Sequence, residues 1–357
     1  MCNKKEILIL GASYGSLLGT RLALAGHNIH LICLPQEADA INANGVMVRM
    51  PVRRRADPVI IESKTLSGKI SAGGPGDVDV ARFDLVALAM QEPQYRHDEI
   101  RALLQRIAKA SKPCMSIMNM PPLPYLKRIP GLECNALREC YADASVWDAL
   151  DPALVTLCSP DPQAFRPPGE PVNVLQVTLP TNFKAARFER DEHTALLRQL
   201  EQDILDTTLS VDGEALALPV KLRVHDSIFV PMAKWSMLLA GNYRCIQRDR
   251  VISIRDAVHG NISESKRIYD WVAVLCMALG ADKNDLVPFA KYANAAEGLL
   301  KPSSAARALD NGVALIERVD LLVKNIALQK GLHDASIDEI VDTVELWLTQ
   351  NRIRAAS

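Results

Sequence analysis

Two groups of residues have the types and spacing to do chemistry. The first is Gly11, Gly15 and Gly19, each separated by three residues, within Ile7-Leu8-Ile9-Leu10-Gly11-Ala12-Ser13-Tyr14-Gly15-Ser16-Leu17-Leu18-Gly19. An apolar run that breaks into small residues and resumes as a helical pattern reads as strand, turn and helix. Small residues let a backbone approach a pyrophosphate, and the first turn of the following helix offers unpaired N–H groups and a partial positive charge. Gly11, Ser13, Tyr14, Gly15 and Ser16 are therefore the expected contacts of a nucleotide cofactor. The series is not G-x-G-x-x-G, and the same residues would equally let the helical segment 15–25 lie close on a sheet.

The second group is Lys234 and Asn242, eight residues apart in Val230-Pro231-Met232-Ala233-Lys234-Trp235-Ser236-Met237-Leu238-Leu239-Ala240-Gly241-Asn242. That separation puts both on nearly one face of a helix, two turns apart. A lysine inside so apolar a helix is either a desolvated amine, able to give up a proton near neutral pH, or a side chain that reaches solvent from the helix edge.

The elements that must position these groups fall into two domains, 1–214 and 215–357, in a chain of 357 residues. Up to about residue 126, short apolar runs alternate with helical segments, the rhythm of a parallel sheet covered by helices. Strands are expected at 28–34, 84–90 and 113–118, with a helix at 94–110 between the last two and a loop at Ser71-Ala72-Gly73-Gly74-Pro75-Gly76. The proline-richer stretch 130–210 offers further strands of the same domain at 153–157 and 172–179. A helix is expected at 191–205, with Ala195, Leu196, Leu200 and Ile204 on its apolar face. Beyond about Gly213 strand signals stop, and helical patterns follow near 226–245, 263–279, 284–299, 313–330 and 336–349. The expected fold class is α/β, an N-terminal Rossmann-type dinucleotide-binding domain followed by an all-helical domain for substrate and dimerisation.

At this point the chain resembles the ketopantoate reductase (2-dehydropantoate 2-reductase) family, as a divergent member. The stretch Gly15 to His27 is similar to that family's first helix, Ile41-Asn42-Ala43-Asn44-Gly45-Val46 to the segment after its second strand, and Asp84-Leu85-Val86-Ala87-Leu88-Ala89 to the strand before the cofactor crevice. The resemblance implies a C-terminal domain like that of 6-phosphogluconate dehydrogenase, and hydride transfer from NADP or NAD to a small 2-keto acid. It implies Asn119 beside the nicotinamide, Lys234 as general acid, Asn242 on the substrate, and Pro302-Ser303-Ser304 as a proline-serine motif. Glu317 matches the glutamate that binds the substrate hydroxyl, one residue out of register. A carbonyl that gains hydride develops negative charge on oxygen, so a fixed acid aimed there favours the transition state. Ser303 and Ser304 would hold the substrate carboxylate or a hydroxyl, or else cap a helix beginning near Ala305. Glu317 otherwise reads as an exposed partner of Arg318.

Four departures stand beside these matches. Ser13 occupies the place of a second glycine, Leu31-Ile32-Cys33-Leu34 carries neither an arginine for a 2′-phosphate nor an acid for a ribose hydroxyl, Met90-Gln91 replaces valine-lysine, and Leu238 replaces an asparagine. NADP is the family's implication, and the missing arginine leaves NAD open. The alternatives to a reductase are a catalytically degenerate nucleotide-binding module and an opine-type dehydrogenase.

Composition narrows the remaining classes. With 41 basic and 42 acidic residues, nothing points to nucleic acid or an anionic membrane, and Arg53-Arg54-Arg55 reads as a solvated loop. The eight cysteines form no C-x-x-C pair and the histidines no ligand spacing, so neither a metal nor a disulfide framework is expected. No G-x-S-x-G elbow is present. Met115, Met118 and Met120 read as core filling. Apolar segments fall far short of the roughly 20 residues of a spanning helix, the start has no long apolar signal region, and a cytoplasmic protein is expected. The tract 272–279 serves either the core or a homodimer.

Overall fold

The computed structural model describes residues 4–53, 55–76 and 78–356, so Cys2 and the middle residue of the arginine triplet, Arg54, lie outside the described residues. The chain forms two compact units, one of residues 1–90, 94–125 and 146–226, the other of residues 91–93, 126–145 and 227–357.

The strands are β1 (Glu6–Leu10), β2 (Asn28–Ile32), β3 (Met47–Met50), β4 (Val59–Glu62), β5 (Ile70–Gly73), β6 (Leu85–Leu88), β7 (Cys114–Ile117), β8 (Val155–Ser159), β9 (Gln163–Phe165), β10 (Val174–Leu179), β11 (Phe183–Ala186), β12 (Leu209–Val211), β13 (Glu214–Leu216) and β14 (Leu222–His225). Eight of them make one sheet in the order β14-β11-β8-β7-β6-β1-β2-β5. From β5 to β8 every pairing is parallel, while β11 joins β8 antiparallel and carries β14 in parallel. Ile7, Leu8, Ile9 and Leu10 are all fully buried, as a parallel strand covered on both faces requires. A second sheet, β4-β3-β10-β9, belongs to the same unit. The architecture is α/β, a Rossmann-type unit together with a unit whose regular elements are helices.

Several expected elements are displaced, each for a tertiary reason. Ser71, Ala72 and Gly73 belong to edge strand β5 rather than to a loop, because Asn42 supplies the missing neighbour. Its amide nitrogen donates to the Ala72 carbonyl at 2.9 Å, and its amide oxygen accepts from the Ala72 N–H at 2.9 Å. The expected helix at 94–110 begins as a 3₁₀ segment, Glu92–Arg96, and becomes α-helical only over Asp98–Lys109. The helix Asp191–Asp206 buries Thr194 and Leu197 with Leu200 and Ile204, leaving Ala195 exposed and Leu196 half-buried.

Strands also continue past Gly213. β13 pairs with β12, and β14 extends the main sheet, so the division between the units falls after Asp226 rather than at the expected 214/215. Buried Arg21 helps hold that stretch, its Nε donating to the Val220 carbonyl at 3.0 Å. Residues 126–145, read from sequence as part of the first domain, belong to the helical unit. There Asn325 donates to Glu139 at 2.9 Å, and the Glu133 N–H donates to Gln329 at 2.9 Å.

The principal helices of the second unit are Ile254–His259, Ile262–Leu279, Phe289–Ala296, Ser304–Asp310, Val319–Gln329 and Ala335–Ala356. Where one helix was expected over 226–245, the chain forms a composite of 3₁₀ turns at Val230–Ala233 and Tyr243–Cys245, an α-helical turn at Lys234–Met237 and a π-helical turn at Leu238–Asn242.

Candidate functional site

In the first unit the loop after β1 lies at the carboxyl edge of the parallel strands, the edge at which open α/β sheets receive their ligands. Gly11 has φ of +107°, its N–H donates to the Ile32 carbonyl at 2.8 Å, and a Cβ there would meet the Ala89 carbonyl oxygen at 2.7 Å. Only glycine turns the chain at this point. Gly15 and Gly19 also serve packing: a Cβ on Gly15 would meet Ile9 at 2.7 Å, and one on Gly19 would meet Ile29 at 3.2 Å. Both let the helix Tyr14–Leu24 settle on β1 and β2.

The residues present fit a dinucleotide phosphate. Ser13 holds the N-cap position without a side-chain capping bond, the first turn carries no acidic residue, and the helix N-terminus keeps its electrostatic preference for an anion. Ser16 is buried and its hydroxyl donates to the Ala12 carbonyl at 2.6 Å, which pins the loop. Ser13 is exposed and Tyr14 half-buried. Asn119, half-buried, follows β7 at the same carboxyl edge.

In the second unit Lys234 opens the α-helical turn and is half-buried, as is Asn242 at the end of the π turn. In an unbroken α-helix, eight residues end about 80° off the starting face. The π turn Leu238–Asn242 interrupts that winding between the two residues. Gly241 leaves room for Tyr292, whose hydroxyl would lie 1.9 Å from a Gly241 Cβ and donates to the Met237 carbonyl at 3.0 Å.

Ser303 is the N-cap of Ser304–Asp310. Its oxygen accepts from the Ala306 N–H at 3.1 Å and its hydroxyl donates to the Asn242 carbonyl at 2.7 Å. Ser303 thus positions the backbone of Asn242, and Ser304 is the exposed hydroxyl of the pair. Glu317 is buried, not on a solvent face, and its carboxylate accepts from the Glu92 N–H at 3.3 Å. Arg318 places Nη2 3.0 Å from Asp320 and Nη1 2.7 Å from Glu345. Burial raises the Asp320 carboxyl above the usual range, against the lowering pull of Arg318. Tyr243, whose hydroxyl burial holds well above its ordinary pKa, donates to the Glu317 carbonyl and accepts from the Val319 N–H at 3.0 Å.

No protein-family model and no curated protein matches the chain. Solved structures do. A 2-dehydropantoate 2-reductase from Methylococcus capsulatus aligns with a TM-score of 0.65 at 11% identity, covering 97% of each chain. D-mandelate dehydrogenase in a ternary structure with NADH and anilino(oxo)acetate aligns at 0.63 and 13%, covering 97% of this chain and 99% of that one. A dimeric ketopantoate reductase from Staphylococcus aureus aligns at 0.60 and 11%, again over 97% and 99%. The chain has the ketopantoate reductase fold.

Against the ketopantoate reductase pattern, the departures have visible structural settings. Met90 packs on the glycine turn, its Cγ 2.9 Å from where a Gly11 Cβ would be. Gln91 is exposed, and Leu238 is a core residue, 3% exposed. Met115, Met118 and Met120 are buried. Burial pushes the Cys114, Cys140 and Cys276 thiols up to about 12 and that of Cys245 to about 11, so these thiols stay protonated at ordinary pH. Arg55 stands 3.6 Å from Asp212. Among the described residues no His, Cys, Asp or Glu group is arranged to hold a metal ion, and no helix is long and apolar enough to cross a membrane.

Tyr243, Tyr292 and the pair Glu37–Arg166 were not foreseen from sequence. Glu37 carried a local signal, as the third residue of a helix starting with Pro35. Arg166 carried none, since its partners lie 129 and 154 residues away.

Proposed function

We propose that the protein is a nicotinamide-dependent reductase of small 2-keto acids, with Lys234 as the general acid. The observation that carries this reading is the half-buried Lys234 at the start of a composite helix whose π turn ends at Asn242, with Tyr292 donating to the Met237 carbonyl just before that turn. π turns recur at functional sites. Gly11, Ser13, Tyr14, Gly15 and Ser16 would hold the dinucleotide phosphates, with Asn119 beside its nicotinamide. When bound, the cofactor supplies hydride to the carbonyl carbon.

The chain's own residues then manage charge. The Lys234 ammonium stabilises the oxygen as it becomes an alkoxide and gives up its proton to it, an interaction stronger in the transition state than in the ground state. Asn242 anchors the substrate by hydrogen bonds, Ser304 meets its carboxylate, and Ser303 keeps the Asn242 backbone in place. Glu317 accepts the hydrogen bond of a substrate hydroxyl. A second copy of the chain is the proposed cover for the outward side of Ile262–Leu279, where Val274 is 47% and Met277 41% exposed.

The test is Lys234→Ala. It should abolish oxidation of the reduced nicotinamide across a panel of 2-keto acids while leaving cofactor binding nearly intact, and unchanged turnover would remove Lys234 from the mechanism. Leu238, apolar and buried where the family has an asparagine, favours a second reading as a nucleotide-binding module without catalysis. Robust turnover of any keto acid by the unaltered protein eliminates it.

A further inference from the structure

The sequence shows no charged residue at the end of β2, but the tertiary structure delivers two. Glu37, in the helix Pro35–Asn44, turns its carboxylate back so that Oε2 accepts from the Leu34 N–H at 3.3 Å, just beyond β2. Arg166, immediately after β9, donates Nη1 to the other Glu37 oxygen and reaches the Ala12 carbonyl with Nη2 at 3.3 Å. The pair therefore ties the loop after β1 to the chain leaving β2. These strands are adjacent and parallel, with Leu10 beside Ile32, so their carboxyl ends share one edge. In dinucleotide folds this edge receives the adenosine ribose, where an acid meets a 2′-hydroxyl and an arginine accommodates a 2′-phosphate. The side chains are 12% exposed for Glu37 and 33% for Arg166.

We propose that Glu37 and Arg166 set the cofactor's 2′ specificity, with Glu37 accepting the ribose hydroxyls and the site preferring NADH. This rests on reading the loop as a dinucleotide site. A carboxylate has about four acceptor positions, and Arg166 and Leu34 use two, so the remainder are free for a diol. Arg166 spends its charge on Glu37 and orients it. A 2′-phosphate placed here would either lie beside the Glu37 carboxylate or have to draw Arg166 away from it, and an unfavourable contact against the wrong ligand is a means of discrimination.

The experiment is equilibrium binding of NADH and of NADPH to the full-length protein, read by the fluorescence of the reduced nicotinamide and by calorimetry rather than by turnover. Unaltered protein, Glu37→Gln and Arg166→Met are compared, with circular dichroism confirming that each is folded. The unaltered protein should bind NADH at least tenfold more tightly than NADPH. Glu37→Gln, which keeps the shape and removes the charge, should reduce that ratio at least tenfold, through weaker NADH and stronger NADPH binding. A preference for NADPH that Arg166→Met abolishes would make Arg166 a phosphate receptor and overturn the proposal. So would a ratio indifferent to Glu37→Gln. If neither cofactor binds the unaltered protein, the dinucleotide reading itself fails and takes this inference with it.

Discussion

Gly241→Ala should destabilise the protein far more than its one added methyl suggests. Its Cβ would fall 1.9 Å from the Tyr292 hydroxyl and 3.2 Å from the ring carbon bearing it, so the phenol must leave the position from which it donates to the Met237 carbonyl. Tyr292 is only 6% exposed, and displacing its hydroxyl without providing a new partner costs about 1–3 kcal/mol. Fitting a methyl into a packed site costs about 1–3 kcal/mol more. Alanine's better helix propensity returns about 1 kcal/mol. The expected net loss is about 1–5 kcal/mol. The contact is isolated by a double-mutant cycle with Tyr292→Phe, because removing the hydroxyl removes the atom the methyl would strike. In that background Gly241→Ala should cost under about 1.5 kcal/mol, a coupling of roughly 1–3 kcal/mol. Urea unfolding of the four proteins measures it. Equal costs in both backgrounds, or a loss below about 0.5 kcal/mol in the first, would refute the claim that glycine is needed here for Tyr292.

Gly11→Ala combines a φ of +107° with a Cβ 2.7 Å from the Ala89 carbonyl. It should cost roughly 2–4 kcal/mol in urea unfolding and weaken binding of either nicotinamide dinucleotide. Ser303→Ala removes both a helix cap and the donor to the Asn242 carbonyl, so thermal unfolding should register a loss of about 1–2 kcal/mol. If Asn242 binds substrate, KM should rise as well. Buried His27 accepts the Lys5 N–H on Nδ1 at 3.2 Å and faces Asp203 through Nε2 at 3.2 Å. Burial lowers its pKa below 6.5 in spite of Asp203, so below that pH the unfolded chain takes up a proton that the native state refuses. Its contribution is present above pH 6.5 and drains away as pH falls toward the depressed native value, by at most about 1.4 kcal/mol per pH unit. Urea titrations between pH 7.5 and 5 should show that slope, and His27→Gln should flatten it. Light scattering should find twice the chain mass if a second copy covers Val274 and Met277, and Val274→Glu should restore the single chain.

Local pattern revealed the repeating architecture of the first unit, because a parallel strand buried on both faces must be written as an unbroken apolar run, as Ile7 to Leu10 is. The turn at Gly11 and the close packing at Gly15 and Gly19 were likewise visible, since each depends on the absence of a side chain at a fixed interval. Lys234 stood out for the same reason, as a charge in an apolar helix. Three other things were settled only by long-range contacts. Asn42 turned a glycine-rich stretch into an edge strand, Tyr292 came to lie against Gly241 where an expected α-helix runs as a π turn, and Arg166 brought a cation to Glu37 from 129 residues away. Side-chain periodicity reports what a segment buries against its own neighbours. Which distant hydroxyl, amide or guanidinium completes a backbone group is decided when the chain closes on itself.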